Sequence, residues 1–497
     1  MTDAQHERAT PTRAPFAWRP VTLVAAAVTA LLLATSAGYD YHRDELYFRL
    51  LGQHPAWGYV DQPPFTPLLA RASTAVFGDT AWALRVPAAL LVAVTAVLLA
   101  LIAREAGGGR TAQVLAALGT AGGFPLVAGH LLLTVTPDLV VWSLVILGVL
   151  RALLHDRPRA WLAVGLVTGL GLYNKHLIVL LLLTVAAGLL LAGPRRVLLS
   201  PWLWAGVGLA LLVGAPNLVY QATHDFPQLR MAGALAEHKG SEARILLLPL
   251  QFVLVGAALV AVWVAGLVEL WRGRAARALA VAYPLMLVLL FVTAGQFYYT
   301  LGLVTALYAV GCVPTARWLA DRRGRRALLG AAVLSNVAAS VVIMLPVIPV
   351  DRLGATPVPD ANQAARDQVG WRTYVAQIAD VYAALPADDR ARAIVLTSNY
   401  GEAGAVDRYG PARGLPTVYS GHNELYHLRR PPESATVAVA VFPRNAGRLG
   451  AFANCAEAGE LDNGVGVDNE EQGVVISVCR GPVAPWSALW PGFQHLS

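Results

Sequence analysis

The chain has 497 residues, of which 56% are hydrophobic and only 14% charged. That balance excludes an ordinary soluble globular protein and points to a membrane protein long enough for more than one domain. The net charge of +7 does not indicate nucleic-acid binding, because the arginines sit in short clusters between apolar runs, as loop charge does in membrane proteins.

Residues 1–20 are polar, carry Arg8, Arg13 and Arg19, and read as a cytoplasmic tail. Residues 21–348 read as a transmembrane region. Its first apolar run, 21–37, is an uncleaved anchor rather than a signal peptide, because many runs follow it. Further runs cover 82–103, 112–132, 137–154, 160–173, 176–193, 201–219, 246–269, 278–294, 297–317 and 327–347, each near the ~20 residues a span needs. The expected count is about eleven. Placing the N-terminus inside puts Arg104 and Arg110, Arg151 to Arg159, Arg195 and Arg196, Arg272 to Arg277 and Arg317 to Arg326 in alternate loops on the cytoplasmic side. The opposite short loops hold only Lys175, in keeping with the positive-inside rule. This orientation predicts a multi-pass plasma-membrane protein with its C-terminal region outside the cytoplasm.

Residues 349–497 change character after a proline-rich stretch and read as a small extracytoplasmic α/β domain. Helices are expected at 369–385, 401–409 and 447–459, and strands at 393–397, 435–442 and 474–479. Their alternation predicts a mainly parallel sheet. Cys455 and Cys479 fall in this region, where a disulfide is compatible with an extracytoplasmic location; Cys312 lies in an apolar run as a small buried hydrophobe.

The chemistry-bearing residues land on one side of this topology. The loop 38–81 holds His42, Arg43, Asp44 and Glu45, then Asp61 and Gln62 before Pro63-Pro64. Asp138 opens a span, Lys175 and His176 lie in a tight turn, His224 follows in the 220–245 loop, and Gln296, Tyr298 and Tyr299 begin another span. Acids, histidines and one lysine converging on one membrane face point to a single cavity. Each also has a plain structural role. Asp44 and Glu45 suit helix capping, Asp61 suits a turn, Asp138 suits a helix N-terminus, and His176 suits packing. Lys175 is one of two lysines, with Lys239, among 38 basic residues; an ammonium set between apolar segments invites an anion such as phosphate. No Walker, GxSxG or HExxH motif stands in a supporting context.

Several motifs recur in a particular order: Arg43-Asp44-Glu45, Asp61-Gln62-Pro63-Pro64, Thr136-Pro137-Asp138, Gly169 to Lys175, Ala215-Pro216-Asn217-Leu218, His224-Asp225-Phe226-Pro227 and Gly295-Gln296-Phe297-Tyr298-Tyr299. In this order the chain resembles the GT-C superfamily of membrane glycosyltransferases, in the branch of protein O-mannosyltransferases and lipid A aminoarabinose transferases. The tail motifs Ser398 to Ala405 and Tyr419 to Asn423 resemble a bacterial subgroup with a C-terminal extracytoplasmic domain. The resemblance implies a mainly α, polytopic bundle that moves a sugar from a polyprenyl-phosphate carrier to an acceptor hydroxyl, usually with inversion. The acceptor is a glycolipid, wall polymer or protein.

The same resemblance implies Asp44 as general base, with Glu45 and Asp61 beside it. Lys175, Asp138, Arg43, Tyr298 and Tyr299 would lie around the carrier phosphate, and His42, Gln62, His176, His224 and Gln296 in the substrate cavity. Two positions depart from the family pattern: Gln62 and Gln296 stand where lysines are usual, leaving Arg43, Arg230 or Lys239 to compensate. The sequence identifies no definite cofactor, and a divalent metal held by Asp44 and Asp138 is left open by loop spacing. The rival readings are a lipid-linked-sugar flippase, which calls for broken helices at mid-membrane and repeat symmetry, and a non-catalytic sensor whose tail binds a ligand.

Overall fold

The computed structural model describes residues 13–320, 322–444 and 446–497. Residues 1–12 of the expected tail, with Arg8, lie outside the described residues. The membrane region begins with α1 (Trp18–Thr35), α2 (Arg43–Gln53), α3 (Phe65–Phe77), α4 (Ala81–Glu105), α5 (Arg110–Leu118), α6 (Phe124–His130) and α7 (Val135–Leu154). It continues with α8 (Ala160–Gly171), α9 (Leu177–Ala192), α10 (Pro201–Thr223), α11 (Pro227–Leu247), α12 (Val260–Arg272), α13 (Arg277–Thr293), α14 (Leu301–Leu319) and α15 (Arg323–Met344).

Among the described residues six helices are long and apolar enough to cross a membrane, or seven if the bent pair α5–α6 counts as one. This falls short of the eleven expected. Two of the apolar runs are broken rather than continuous. Gly123 (φ 64°) turns the chain between α5 and α6, and Gly256 (φ 95°) interrupts the run before α12; α8, α9 and α13 are shorter apolar helices. Non-helical backbone at membrane depth must be buried and hydrogen-bonded, and α15 supplies the partners. Its Asn336 donates to the Val255 carbonyl at 3.2 Å, and its Ser340 hydroxyl accepts from the Gly123 N–H at 2.9 Å.

The expected loop 38–81 is mostly helical. His42 and Glu45 form a capping box at the start of α2: His42 Nδ1 accepts from the Asp44 N–H at 3.2 Å, and Glu45 accepts from the His42 N–H at 2.9 Å. This satisfies two of the N–H groups that a helix start leaves free.

In the tail, α16 (Trp371–Ala383) and α17 (Tyr400–Tyr409) pack on a five-stranded sheet of β1 (Ala393–Thr397), β2 (Val418–Ser420), β3 (Val437–Phe442), β4 (Phe452–Glu460) and β5 (Val475–Pro482). The order is β2-β1-β3-β5-β4; β1 runs parallel to β2 and β3, whereas β5 is antiparallel to both β3 and β4. The sheet is therefore mixed rather than mainly parallel. The helix expected at 447–459 is a short 3-10 turn followed by strand β4. The segment Phe452 to Glu460 is rich in alanine and glutamate, good helix formers, but edge pairing to β5 overrides that preference. Cys455 faces Cys479 in the register, and the two are joined by a disulfide.

The tail is not a separate body. One hydrophobic core joins Leu46, Tyr47, Leu50 and Leu51 of α2 to Trp371, Val406, Val439 and Ile476 of the tail. Helix α17 lies directly on α2, where a Cβ at Gly404 would come within 2.8 Å of the Leu46 Cβ. Only glycine allows this approach.

Beneath the contact, Arg85 of α4 and Glu45 are both fully buried and paired at 2.8 Å. Arg85 also donates to the Asp40 carbonyl at 2.7 Å and to Gln368 at 3.1 Å, while Glu45 accepts from the Leu132 N–H at 3.0 Å. Removing one partner of such a pair leaves an uncompensated buried charge. We expect Arg85→Met to destabilise the protein by ~3–5 kcal/mol, read as a lowered thermal unfolding midpoint in detergent. An unchanged midpoint would show that the pair does not hold α2 in place.

Candidate functional site

Asp44 lies one residue before Glu45, yet the two carboxylates have different fates. Glu45 turns inward to Arg85 and the helix cap, so it is a structural acid and does not reach the cavity. Asp44 remains on the open side of α2, where its Oδ1 accepts from the Tyr400 hydroxyl at 2.9 Å. Burial and the adjacent Asp44 charge hold the Tyr400 phenol well above its ordinary value, so it stays a hydrogen-bond donor. Tyr400 is placed by a second capping box, in which Asn399 and Glu402 start α17, and its ring stacks on Tyr47 at 4.7 Å.

Tyr47 carries the network to the second loop acid. Its hydroxyl donates to Asp61 at 3.2 Å and accepts from the Glu424 N–H at 3.2 Å. Asn423 donates to the other Asp61 oxygen at 3.4 Å, and the Val60 N–H donates to the Glu424 carboxylate at 2.8 Å. Burial pushes Asp61 up to about 7, with the Asp44 charge adding to the effect and the Tyr47 and Asn423 hydrogen bonds opposing it. Burial also pushes Glu424 up to about 7, with the Asp61 charge adding to it. Tyr400, Asn423 and Glu424 all come from the tail. Tyr400 and Asn423 lie in the two tail motifs visible in the sequence, whereas Glu424 follows the second and is not marked by it; nothing local shows that any of the three folds onto α2.

The cation side is built by the turn after α8. Asn174 donates to the Thr134 carbonyl and accepts from the Thr66 hydroxyl, both at 2.8 Å, which ties this turn to the starts of α7 and α3. Lys175 is thereby placed over Tyr299 and Tyr298, its Nζ 4.7 and 5.5 Å from their ring centroids. Gln251, which sequence reasoning did not single out, fixes those tyrosines by donating to the Phe297 carbonyl at 3.0 Å and accepting from Thr300 at 2.6 Å. Lys175, Asp138, Trp142, Tyr298 and Tyr299 line one narrow pocket. In it, one buried Asp138 oxygen has no hydrogen-bond donor. Burial pushes the Lys175 ammonium down from its usual value, against the pull of the Asp138 and Asp44 carboxylates.

Other candidates stand elsewhere. Arg43 is committed to the tail, paired with Glu470 and 5.0 Å over the Tyr400 ring, so it is not a free phosphate contact. His42 is a cap. His176 bonds Asn217 at 2.7 Å, which holds the α9 start against α10. His224 is exposed and stacks on Tyr220 at 4.1 Å, outside the pocket. Gln62 is buried and its amide nitrogen has no partner, while Gln296 is half-buried beside the tyrosine turn. Arg230 and Lys239 are exposed on α11. No three His, Cys, Asp or Glu side chains among the described residues are placed to hold a metal. Asp138 has the Lys175 ammonium for a neighbour.

Residues 61–220 match the family model described as dolichyl-phosphate-mannose-protein mannosyltransferase. A search of curated proteins returns no match. Among solved structures, ArnT from Cupriavidus metallidurans in the apo state is similar with a TM-score of 0.62 at 16% identity, over 92% of this chain and 97% of that one. The same protein bound to undecaprenyl phosphate gives 0.58 at 17% identity over the same shares. The chain has the GT-C fold. A second protein, the arabinofuranosyltransferase AftD from Mycobacteria, gives 0.53 at 14% identity, over 95% of this chain and 40% of that one. With its apolar helices, the GT-C architecture makes this a multi-pass membrane protein. The matched segment contains Asp61, Asp138 and Lys175, while Asp44 precedes it.

Asp61 and Glu424 keep their protons up to about 7 when folded, whereas unfolded carboxyls release theirs near pH ~4. Between those values the folded chain binds more protons than the unfolded one, so these groups lower stability as pH rises through that window. Buried Glu402 and Glu471, pushed up to about 8 and about 7, act in the same direction. Buried His422 and half-buried His495, held below their ordinary values chiefly by burial, act the opposite way below pH ~6.5. The expected signature is therefore a difference: between pH ~5 and pH ~8 the unfolding midpoint of the Asp61→Asn, Glu424→Gln double variant should rise relative to that of the wild type. Identical slopes would contradict the assignment.

Proposed function

We propose that this protein is a glycosyltransferase that takes a sugar from a polyprenyl-phosphate carrier and transfers it, with inversion, to an acceptor hydroxyl on the extracytoplasmic side. The observation that carries the reading is the pairing of one open carboxylate, Asp44, with one cation free of ion pairs among the described residues, Lys175, in a bundle of GT-C fold. The likeness to a structure bound to undecaprenyl phosphate supports a lipid-phosphate donor.

In the reaction the acceptor oxygen bonds to the anomeric carbon as its proton passes to the Asp44 carboxylate. The bond from the anomeric carbon to the phosphate oxygen breaks, and its electron pair leaves with the lipid phosphate. Tyr400 orients Asp44 by donating to the oxygen that is not taking the proton. Lys175 stabilises the charge gathering on the phosphate, and the Tyr298 and Tyr299 rings hold the ammonium in place without neutralising it. Asp61, protonated up to about 7, contributes hydrogen bonds rather than a second negative charge beside the base. The N-terminus inside and the tail outside complete this reading.

A panel of polyprenyl-phosphate sugars incubated with membranes tests it. Asp44→Asn should lower the transfer rate by about 10²–10⁴-fold at unchanged protein level, and Lys175→Met by about 10²-fold. Full transfer by the Asp44→Asn protein would remove Asp44 as the base. No transfer by the wild type from any lipid-phosphate donor would overturn the reaction class.

A further inference from the structure

At the end of the bundle away from Asp44, helices α7, α8 and α10 enclose an open groove of about 720 Å³ that the proposed reaction does not use. Its walls are two helical stripes: Leu144, Leu147 and Gly148 on α7, and Ala160, Ala163 and Val167 on α8. The spacings of three, four and seven put each set on one helix face, so the groove between them has apolar walls along both helices. Asp138 and Arg151 are both on α7, about 20 Å apart by helical rise, so the far rim is well separated from the Lys175 pocket.

That rim is basic. Arg151, Arg157 and Arg159 line it together with Trp202 at the start of α10. Arg151 uses its Nε on Glu105 at 3.0 Å, a carboxylate also paired with Arg13 at 2.9 Å and facing His155 at 3.1 Å. Arg159 lies 5.3 Å over the Trp202 ring. Among the described residues neither Arg157 nor Arg159 has a carboxylate partner, and the acid of this loop, Asp156, is exposed. Three guanidiniums thus surround the mouth of an apolar trough; Arg151 shares Glu105 with Arg13, and the exposed Asp156 is paired with none of the three.

We propose that this groove binds an anionic phospholipid of the surrounding membrane, with the phosphate on Arg157 and Arg159 and an acyl chain along the α7–α8 trough. A soluble phosphate has no use for the trough, and a neutral lipid has none for the guanidiniums; a phospholipid with net negative charge uses both.

Native mass spectrometry of the full-length protein in detergent, titrated with phosphatidylglycerol or phosphatidylcholine of the same acyl chains, tests this independently of any sugar transfer. The wild type should retain phosphatidylglycerol about tenfold better. The Arg157→Ala, Arg159→Ala double variant should bring the two lipids within about twofold of each other, while Arg272→Ala, Arg274→Ala, which removes two exposed arginines of another loop, should keep the preference. Equal retention of both lipids by the wild type, or an unchanged preference in the double variant, would overturn the proposal. Where the double variant does not fold, the wild type alone decides. Its preference should shrink as salt rises toward about 1 M, and a preference indifferent to salt would overturn the proposal.

Discussion

The arrangement of the site depends on one buried ion pair. Glu45 and Arg85 are fully excluded from solvent, and a pair so placed is tolerated only if its remaining donors and acceptors are satisfied. Here they are, and the partners come from five parts of the chain: the ends of α1 and its following loop at Ser36 and Asp40, the cap of α2, the turn at Leu132, and Gln368 at the entrance to the tail. Each contact is modest alone. Together they leave α2 one position, and α2 carries Asp44. The adjacency of Asp44 and Glu45 has this physical meaning: successive residues of a helix start point about 100° apart, so one acid anchors the helix while the next is left open.

The tail completes what α2 begins. It joins the core of α2 through Leu46 and Tyr47, and glycines at 401 and 404 let α17 come close enough for Tyr400 to reach Asp44. Two capping boxes, His42 with Glu45 and Asn399 with Glu402, therefore start the two helices that meet across this contact. Both helices are short, and caps matter most where there are few internal hydrogen bonds to hold the first turn. The positions of Asp44 and Tyr400, each within the first two residues of its helix, inherit the rigidity of the caps.

Much of this was legible residue by residue. Asp44, Asp61, Asp138 and Lys175 stand out as charge set among apolar runs and Tyr298 and Tyr299 as polar residues at the start of one, while the tail strands at 393–397, 435–442 and 474–479 are readable as short apolar blocks between turns. What failed did so for physical reasons. Apolar runs report length and burial but not continuity, so the breaks at Gly123 and Gly256, stabilised by Asn336 and Ser340 from α15, could not be read from the runs themselves. Strand β4 is an exposed edge with helix-forming composition, and only its pairing to β5 makes it a strand. Arg43 stood beside Asp44 in sequence, but its charge is absorbed by Glu470, more than four hundred residues later. Nothing local marks such a pairing.

The distribution of charge then limits how the pocket works under the proposed reaction. Glutamines at 62 and 296 and the pairing of Arg43 leave Lys175 as the cation of the pocket. A lone ammonium facing Asp138 would collapse into a direct ion pair if the side chains allowed it. Instead it rests on the faces of Tyr298 and Tyr299, a weaker and partly desolvated attraction. Its charge is therefore held close to full strength for an arriving anion, at the cost of burying a cation without a direct partner. A phosphate entering there gains more than it would from a lysine already neutralised by a carboxylate.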